Sequence, residues 1–471
     1  MKKKMLIGGQ WKTGAEFFDV NNRYNGSLVA EVPLAAESDV TAAVTSSLNG
    51  LQEMSDIPPY RRAEILHETS KSILKEKAAL AETITAESGK PIKYAVAEVE
   101  RSAQTFQFAA EEAKRIHGET IPMGAAKGSE NRSAFYERFP VGVIGAITPF
   151  NFPINLVAHK VAPAIAAGNS IVLKPAEQTP LTALKLGEIL LKAGLPGEAV
   201  NIITGDGSTG AALVSDNRLN MITFTGSPPV GREIKANSGL KKVTLELGSN
   251  SGVIIEPDAD INAAVSRSLT AAFANSGQVC ISLQRIYIHE KIYDSFKMQF
   301  LEGAGSLKLG DPMDPETDIG PLIDGAAADR TKEWLDEAVK GGAKVLAGGN
   351  RMENIIEPTV LSNINREMRV YCAEVFAPVV SLMPYKSFEE AINGINDSKY
   401  GLQAGVYTND VNKAFLAFKR LDVGGVMIND VPTYRADHMP YGGIKESGLG
   451  REGLKYSIEE MTEIKTMVFN L

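Results

Sequence analysis

The stretch Val141-Gly-Val-Ile-Gly-Ala-Ile-Thr148 begins a regular alternation of short apolar runs and helical segments. A short apolar run bounded by turn residues is typical of a strand that is buried on both faces of a parallel sheet. Further strand candidates lie at residues 170–173, 200–204, 220–224 and 243–247, and helical segments separate them near 155–167, 181–193, 208–215 and 228–237. This rhythm predicts a doubly wound parallel sheet and therefore an α/β fold.

A second alternation follows Gly248. Its strand candidates lie at residues 252–255, 285–289, 360–361, 379–383, 404–407 and 425–428, and its helices near 290–303, 324–340, 386–396 and 411–420. Because 471 residues exceed what one hydrophobic core supports, a second α/β domain is expected.

The remaining segments predict peripheral elements. Two long amphipathic helices are expected over 59–88 and 92–117, and the polar, glycine-flanked segment 126–138 predicts a protruding hairpin. The tail Lys465-Thr-Met-Val-Phe469 predicts a strand that pairs with another subunit or caps a sheet edge.

Composition excludes several classes of function. A net charge of −8 argues against nucleic acid or anionic membrane as the main partner. The apolar run after the first lysines stops almost at once, which predicts no secretory signal, and no run approaches the length of a membrane span. Two cysteines fit a reducing cytoplasm, and five histidines without short-range pairing predict no metal site.

Cys280 ends the stretch Asn275-Ser-Gly-Gln-Val-Cys280, and most of the residues before it are small, polar or flexible. A helical segment, residues 260–273, runs directly into it. This placement suits a nucleophile at the rim of a cleft, whereas a thiol used only for packing usually lies in an apolar run. The stretch by itself leaves a half-buried loop cysteine equally open.

Two further residues have the character of catalytic groups. Glu246 lies at the carboxyl end of an apolar strand, where a carboxylate is unfavourable unless it has a partner or acts as a general base. Asn151 is fenced by two prolines and two aromatic residues, so its amide could donate to an oxyanion, a contact worth about 3 kcal/mol. A capped glutamate and an ordinary turn asparagine are the alternatives.

Three loops at strand ends suggest a nucleotide site. Gly205-Asp-Gly-Ser-Thr-Gly210 spells the dinucleotide fingerprint, but no acidic residue ends a following strand about 20 residues on, so a tight turn is the alternative. Phe224-Thr-Gly-Ser227 opens a helix that could bind a pyrophosphate, or that Ser227 merely caps. Lys174-Pro-Ala-Glu177 could hold a ribose or could lie in solvent.

Together these motifs resemble the aldehyde dehydrogenase superfamily over nearly the full chain. The segments that carry the resemblance are 149–153, 174–180, 224–227, 245–250, 277–280, 374–378 and 440–450. The resemblance implies two Rossmann-like doubly wound α/β domains and a small β oligomerisation arm. It assigns residues 1–125 and 140–247 to dinucleotide binding, residues 248–440 to catalysis, and residues 126–139 and 455–471 to the arm, with a homodimer or homotetramer as the assembly.

The resemblance also implies a mechanism. Asn151 and the backbone N–H of Cys280 would hold the carbonyl oxygen while the Cys280 thiolate attacks, giving a thiohemiacetal and, after hydride transfer to nicotinamide, a thioester. Glu246 would activate the hydrolytic water. A carboxylate at this position favours hydrolysis over acyl transfer to coenzyme A, which is the alternative within enzymes. A catalytically silent scaffold of the same fold is the alternative outside them.

The implied cofactor is NAD rather than NADP, because a carboxylate at Glu177 would repel a 2′-phosphate. Phosphates would lie on the helix after Ser227, which leaves Gly205 as a wall of the adenine site. The full set of expected cofactor residues is Ile147, Thr148, Pro149, Phe150, Lys174, Glu177, Gly205, Phe224, Thr225, Gly226, Ser227, Val230, Leu247, Gly248, Glu374 and Phe376.

The resemblance implies a small aldehyde as the substrate, and the segment 432–440 resembles the branch that contains lactaldehyde and phosphonoacetaldehyde dehydrogenases. The candidate substrate residues are Arg101, His159, Arg435 and His438. Arg101 could bind an anionic or hydroxylated tail or could face solvent. Val279 stands where phosphate-handling relatives often have arginine, so a small hydroxy-aldehyde, a semialdehyde or a singly charged aldehyde is expected.

Overall fold

The computed structural model describes residues 2–471. The first of two large sheets has eight strands, and its five central strands are parallel. Its strands in spatial order are Gln10–Lys12, Met5–Ile7, Val200–Ile202, Ser170–Lys174, Val143–Ile147, Met221–Thr225, Lys242–Glu246 and Gly448–Leu449. The strands predicted from the sequence form the parallel centre, so the α/β fold is confirmed.

The second large sheet has seven strands and is parallel apart from one edge strand. Its strands in spatial order are Lys344–Ala347, Thr359–Ser362, Val379–Tyr385, Arg285–His289, Gly252–Ile255, Gln403–Tyr407 and Gly425–Ile428. The edge strand Lys344–Ala347 was not predicted. All four of its residues are partly or fully exposed, and its apolar run is only Val345-Leu-Ala347, so the sequence does not show the pattern of a fully buried strand.

Helices cover both faces of each sheet, and apolar side chains fill the layers between them. Around the first sheet they are Glu37–Asp56, Pro59–Lys75, Lys77–Ser88, Ile92–Ala113, Asn155–Ala167, Leu181–Lys192, Gly207–Ser215, Pro228–Asn237 and Leu454–Glu460. Around the second they are Ile261–Phe273, Tyr293–Gly305, Gly325–Lys340, Arg369–Cys372, Phe388–Asn396 and Val411–Arg420. The predicted helix 59–88 is two helices that meet at Glu76, and the helix predicted to reach residue 117 ends at Ala113.

A three-stranded antiparallel sheet projects from these layers. Arg132–Pro140 lies in its centre, between Glu119–Ile121 and the tail Thr462–Asn470. The prediction of a hairpin within 126–138 is wrong, since the partner strand precedes that segment. The tail pairs within its own chain and forms an edge strand. Two-stranded sheets form from Glu16–Asn21 with Leu28–Leu34, and from Arg351–Met352 with Ile355–Ile356.

The strand order fixes where a ligand fits on the first sheet. The chain runs outward from Val143–Ile147 through two strands, then crosses back to Met221–Thr225 on the other side. The helices on the two sides of this switch point lie on opposite faces, so a crevice opens at the carboxyl ends of the strands. Within residues 2–471, no helix combines the length and apolar character that crossing a membrane requires.

Candidate active site

The site lies at this crevice. Asn151 follows the strand Val143–Ile147 by four residues, and Glu246 is the last residue of Lys242–Glu246. Thr225 pairs with Glu246 across neighbouring strands. Parallel strands end at one edge of a sheet, so the sequence places these side chains together although they are far apart in the chain.

Cys280 is brought to the same place by a strained loop. Asn275, Ser276 and Gly277 adopt positive φ angles of 52°, 55° and 71°. Consecutive residues in this region cost free energy, and such strain persists at functional sites because the surroundings enforce it. A Cβ atom at Gly277 would lie 2.1 Å from the carbonyl oxygen of Ala377, so glycine is required there.

The sulfur of Cys280 rests as a protonated thiol. Burial raises the pKa of Cys280 to about 11, although a hydrogen bond with Tyr441 and the charge of Arg435 act in the opposite direction. The distance from Cys280 Sγ to Tyr441 Oη is 3.1 Å. A thiol in this state would need further activation to act as a nucleophile.

Glu246 is buried without a counter-charge in direct contact. Neither of its carboxylate oxygens has a hydrogen-bond partner within residues 2–471. Burial and the nearby carboxylate of Glu452 raise the pKa of Glu246 well above the ordinary value. A buried, unpartnered carboxyl with a raised pKa is suited to accept a proton from water at neutral pH.

The Asn151 amide faces the loop of Cys280. Its Nδ2 donates to the carbonyl oxygen of Gln278 at 3.0 Å, which leaves its second N–H free to point at a ligand. Its Oδ1 is buried and has no partner in the described chain. Asn275 reinforces the contact, because its Nδ2 lies 3.4 Å from the carbonyl oxygen of Asn151.

A buried ion pair fixes the segment that carries Asn151. The carboxylate of Glu98 accepts from the backbone N–H groups of Ile154 and Asn155, at 3.0 and 3.2 Å, where the helix Asn155–Ala167 begins. Its other oxygen binds Lys90, whose Nζ lies 3.8 Å from the ring centroid of Phe152. Lys90 and Glu98 are both almost fully buried, so they hold the loop from both sides.

A cleft of about 220 Å³ brings most of the expected catalytic and cofactor residues together. Its walls are Pro149, Phe150, Asn151, Leu156, Thr225, Gly226, Ser227, Glu246, Leu247, Gly248, Cys280, Arg330, Glu374 and Phe376. Burial raises the pKa of Glu374 to about 7. A Cβ atom at Gly248 would lie 2.1 Å from Glu374 Oε2, so a side chain at position 248 would clash with the Glu374 carboxylate.

A neighbouring cleft of about 660 Å³ continues along the same sheet edge. It includes the expected residues Ile147, Lys174, Phe224 and Val230. From the glycine loop it takes Gly207 and Gly210 rather than Gly205, whose Cβ position is occupied by Thr209. Glu177 is exposed beside Lys174 and lies outside the walls of this cleft.

Polar groups without partners lie where the two clefts adjoin the strand ends. The hydroxyls of Thr148 and Thr225 are buried at neighbouring strand ends, and neither has a partner in residues 2–471. Ser227 precedes the helix Pro228–Asn237 but makes no capping bond with its side chain, contrary to the capping alternative. Because two prolines begin that helix, the backbone offers an anion fewer N–H groups than an ordinary helix end does.

A third cleft, of about 340 Å³, opens on the other side of Cys280. Its walls are Tyr94, Arg101, Phe152, Asn155, Leu156, Arg267, Thr270, Ala274, Val279, Cys280, Ile281, Thr433, Tyr434, Arg435 and Tyr441. Cys280 and Leu156 line both this cleft and the 220 Å³ cleft. The sulfur therefore lies where two separate ligands could meet.

Paired charges surround the third cleft. Arg101 forms a bidentate ion pair with Asp437, at 2.9 and 2.8 Å, and His159 Nε2 lies 2.7 Å from the same carboxylate. Arg435 Nη2 binds Glu452 at 3.1 Å. The expectation that Arg101 either binds a ligand or faces solvent is incomplete, because Asp437 already holds it.

Two arginine donors nevertheless remain open. Arg435 Nε is buried and has no partner among residues 2–471, and Arg101 uses only Nε and Nη2 for Asp437, which leaves Nη1 free of that pair. His159 is fully buried, and burial together with Arg435 lowers the pKa of His159 although Asp437 acts in the opposite direction. His438 is exposed, packs against Phe108 in a tilted arrangement with ring centroids 4.8 Å apart, and lies outside the walls of the cleft.

Several residues of the site were not singled out from the sequence. Tyr441 lies within the segment 440–450 that carried the resemblance, but nothing in its sequence neighbours indicates contact with sulfur. Asp437, Glu452 and Lys160 form ion pairs with partners far away in the chain. No group of three or more His, Cys, Asp or Glu side chains in residues 2–471 is arranged to hold a metal ion.

Comparison with known proteins agrees with this geometry. The model of the aldehyde dehydrogenase family matches residues 11–467. A 3-sulfolactaldehyde dehydrogenase of Priestia aryabhattai is 49% identical over 468 residues, which cover 99% of this chain and 98% of that protein. A lactaldehyde dehydrogenase of Methanococcus aeolicus is 41% identical and covers 99% and 100% of the two chains.

Solved structures are similar over the same length. Aldehyde dehydrogenase 21 from Physcomitrella patens, in complex with the reaction product succinate, gives a TM-score of 0.98 at 41% identity, covering 100% of this chain and 98% of that one. Glyceraldehyde-3-phosphate dehydrogenase GapN from Methanocaldococcus jannaschii, complexed with NADP, gives 0.93 at 40% identity, covering 96% and 99%. The predicted family resemblance is confirmed.

Proposed function

The chain belongs to the aldehyde dehydrogenase family, and from this premise we propose that it oxidises a small, singly charged hydroxy-aldehyde to the free acid through a covalent bond to Cys280. The observation that carries the proposal is the position of Cys280, which lines both the 220 Å³ cleft and the 340 Å³ cleft. An aldehyde in one cleft and a nicotinamide in the other would meet at the sulfur.

The chain's own residues divide the reaction between them. Asn151 and the backbone N–H of Cys280 hold the carbonyl oxygen, while the Cys280 thiolate attacks the carbonyl carbon. A nicotinamide dinucleotide, when bound, would supply the hydride acceptor, and a thioester on Cys280 would remain. Glu246 takes a proton from water, whose oxygen attacks the thioester and releases the acid. The unpartnered oxygens of Glu246 in residues 2–471 support this role.

The third cleft supports an anionic tail on the substrate. Arg435 Nε and Arg101 Nη1 are the open donors, and an arginine donor suits a carboxylate or sulfonate. Val279 lines the cleft without adding a positive charge, so the cleft suits a substrate with one negative charge better than a substrate with two. Among relatives, 3-sulfolactaldehyde is the substrate named for the protein that is 49% identical. We therefore propose 3-sulfolactaldehyde, or a semialdehyde of similar size and charge, as the substrate.

A substrate panel tests the proposal. Cofactor reduction is followed with 3-sulfolactaldehyde, succinic semialdehyde, uncharged lactaldehyde and doubly charged phosphonoacetaldehyde, with and without coenzyme A. The highest kcat/KM is expected for a singly charged aldehyde, with no dependence on coenzyme A. Arg101→Gln should lower kcat/KM for the charged aldehydes but not for lactaldehyde. A preference for uncharged aldehydes, or a requirement for coenzyme A, would contradict the proposal.

The cofactor is NAD or NADP, and we propose a preference for NAD. Glu177 is exposed beside Lys174, which lines the 660 Å³ cleft, and its carboxylate would repel the 2′-phosphate of NADP. The M. jannaschii relative is complexed with NADP, so the preference rests on this chain's own residues. The ratio of kcat/KM for the two cofactors measures it.

We also propose the domain roles and the assembly that the resemblance implies. Residues 1–125 and 140–247 would bind the dinucleotide, residues 248–440 would complete the catalytic site, and residues 126–139 and 455–471 would form the arm. The arm strand Thr462–Asn470 is an edge strand and exposes Ile464, Met467, Val468 and Phe469, which suits pairing with a second copy in a homodimer or homotetramer. Cytoplasmic placement stays an expectation from cysteine usage. Light scattering would give the number of copies.

A further inference from the structure

A phenol hydroxyl contacts the sulfur of Cys280. Tyr441 Oη lies 3.1 Å from Cys280 Sγ. The side chain of Tyr441 is buried, and its ring packs in a small apolar cluster with Ile281 and Leu402. Tyr441 therefore touches the reacting atom, and the reaction proposed above gives it no role.

The backbone of Tyr441 is fixed on both sides. Its N–H donates to the carbonyl of Glu452 at 3.0 Å, and the Glu452 N–H donates back at 2.7 Å. A Cβ atom at the next residue, Gly442, would lie 2.9 Å from Glu246 Oε1. The segment therefore packs closely against the Glu246 carboxylate while it holds the phenol at the sulfur.

A cation lies on the ring of Tyr441. The guanidinium carbon of Arg435 is 3.7 Å from the ring centroid, and ion pairing with Glu452 holds it there. A cation over an aromatic face is attracted to the ring, and its charge strengthens the phenol O–H as a donor. Arg435 thereby acts on the sulfur through Tyr441 in addition to its direct charge effect on Cys280.

We propose that Tyr441 is a catalytic residue, whose hydroxyl donates a hydrogen bond to Cys280 Sγ and stabilises the thiolate that attacks the aldehyde. This inference rests on the proposed function, because it takes Cys280 as the nucleophile. When the S–H bond breaks, the proton passes to water in the cleft, and the electron pair stays on sulfur. The O–H bond of Tyr441 stays intact, and the hydroxyl donates a hydrogen bond to the sulfur. Hydrogen bonds to a charged acceptor are the strong ones.

The other charged groups around the sulfur stay in place when this hydroxyl is removed. Arg435, Glu246 and Glu374 act on Cys280 directly, and His159 and Glu452 contact Arg435. A change that removes only the phenol oxygen therefore isolates its contribution. Tyr407 offers a matched control, because its buried hydroxyl has no hydrogen-bond partner within residues 2–471.

The test is the pH dependence of alkylation of Cys280 by iodoacetamide, without aldehyde or cofactor. The background is Cys372→Ser, which removes the exposed second thiol. Tyr441→Phe should move the midpoint of the rate profile upward by about one pH unit. Below the midpoint it should slow alkylation about threefold, because a tenfold smaller thiolate fraction outweighs the higher reactivity of each thiolate. At high pH the same variant should react about threefold faster, because a more basic thiolate is more nucleophilic. Tyr407→Phe should reproduce the parent profile.

Each outcome has one meaning. A purely structural role for Tyr441 would change the rate by one factor at every pH and leave the midpoint in place, and that result overturns the inference. A Tyr441→Phe profile that matches the parent overturns it as well. A pH titration of the ultraviolet absorbance of the thiolate gives the midpoint independently of reactivity. If alkylation of Cys280 leaves aldehyde oxidation intact, the proposed function fails instead.

Discussion

The two clefts that meet at Cys280 differ in how their polar groups are satisfied. In the 220 Å³ cleft both oxygens of Glu246, Oδ1 of Asn151 and the hydroxyl of Thr225 have no partner in residues 2–471. Around the 340 Å³ cleft, Asp437 and Glu452 are each bound to two cationic or imidazole side chains. Unpartnered buried groups are unfavourable, so they occur where a ligand completes them, whereas the paired charges fix the shape of the opposite wall.

The largest effect is expected at the sulfur that the clefts share. Cys280→Ser replaces a thiol that can ionise with a hydroxyl that cannot, so kcat should fall about a thousandfold or more. Cofactor reduction under saturating aldehyde measures it. Cys372→Ser is the control, because Cys372 is exposed and should leave kcat unchanged. A Cys280→Ser enzyme within tenfold of the parent would show that another group attacks.

The next effect concerns the ion pair that holds the Asn151 loop. Glu98→Gln keeps an acceptor for the helix N–H groups but leaves Lys90 as an unpaired buried cation, so the free energy of unfolding should fall by about 3–5 kcal/mol. Urea unfolding followed by tryptophan fluorescence measures the shift. Glu100→Gln on the same helix breaks only an exposed pair with Lys77 and should have little effect. Equal shifts in the two variants would mean that the buried pair does not stabilise the loop.

A smaller effect on stability is expected at low pH from the ion pairs of Asp437 beside the 340 Å³ cleft. Burial alone would raise the pKa of Asp437, but His159 and Arg101 outweigh it and hold the pKa well below the ordinary value. A lowered pKa contributes stability that is present above the unfolded value of about 3.9 and is lost as pH falls. Asp437→Asn should therefore lose about 2 kcal/mol at neutral pH and show a flatter decline in acid.

Melting temperatures of the parent and Asp437→Asn, measured from neutral pH into acid, test this. The two curves should converge as the pH falls below the unfolded value. Asp430→Asn, which breaks a more exposed pair with Arg267, is the control and should run parallel to the parent. If the curve for Asp437→Asn also stays parallel, the ion pairs around Asp437 do not stabilise the fold.

The smallest effect is expected at Glu177, which lies next to Lys174 outside the walls of the 660 Å³ cleft. Glu177→Gln removes an exposed negative charge, so the ratio of kcat/KM for NADP over NAD should rise about threefold to fivefold, as expected for a solvent-screened charge. Glu188→Gln, another exposed carboxylate on the following helix, should leave the ratio unchanged. An unchanged ratio in Glu177→Gln would remove the basis for the NAD preference.

The sequence predicted one wall of the site better than the other. Apolar runs identified the strands whose carboxyl ends carry Asn151 and Glu246, because each such residue departs visibly from its surroundings. The opposite wall depends on pairs such as Arg101 with Asp437, which are 336 residues apart in the chain. No local pattern reports such a pair. Tyr441 was missed for the same reason, since its partner Cys280 lies on a loop of another element.

A single turnover of Glu246→Gln gives the decisive result for the covalent mechanism. With aldehyde and NAD, the variant should reduce about one cofactor per site and then stall, because the thioester forms but water is no longer activated. Mass spectrometry of the digested protein should locate the acyl group on the peptide that contains Cys280. Steady turnover at the parent rate, or an acyl group on Cys372 or on no residue, would contradict the assignment of Cys280 as nucleophile and Glu246 as base.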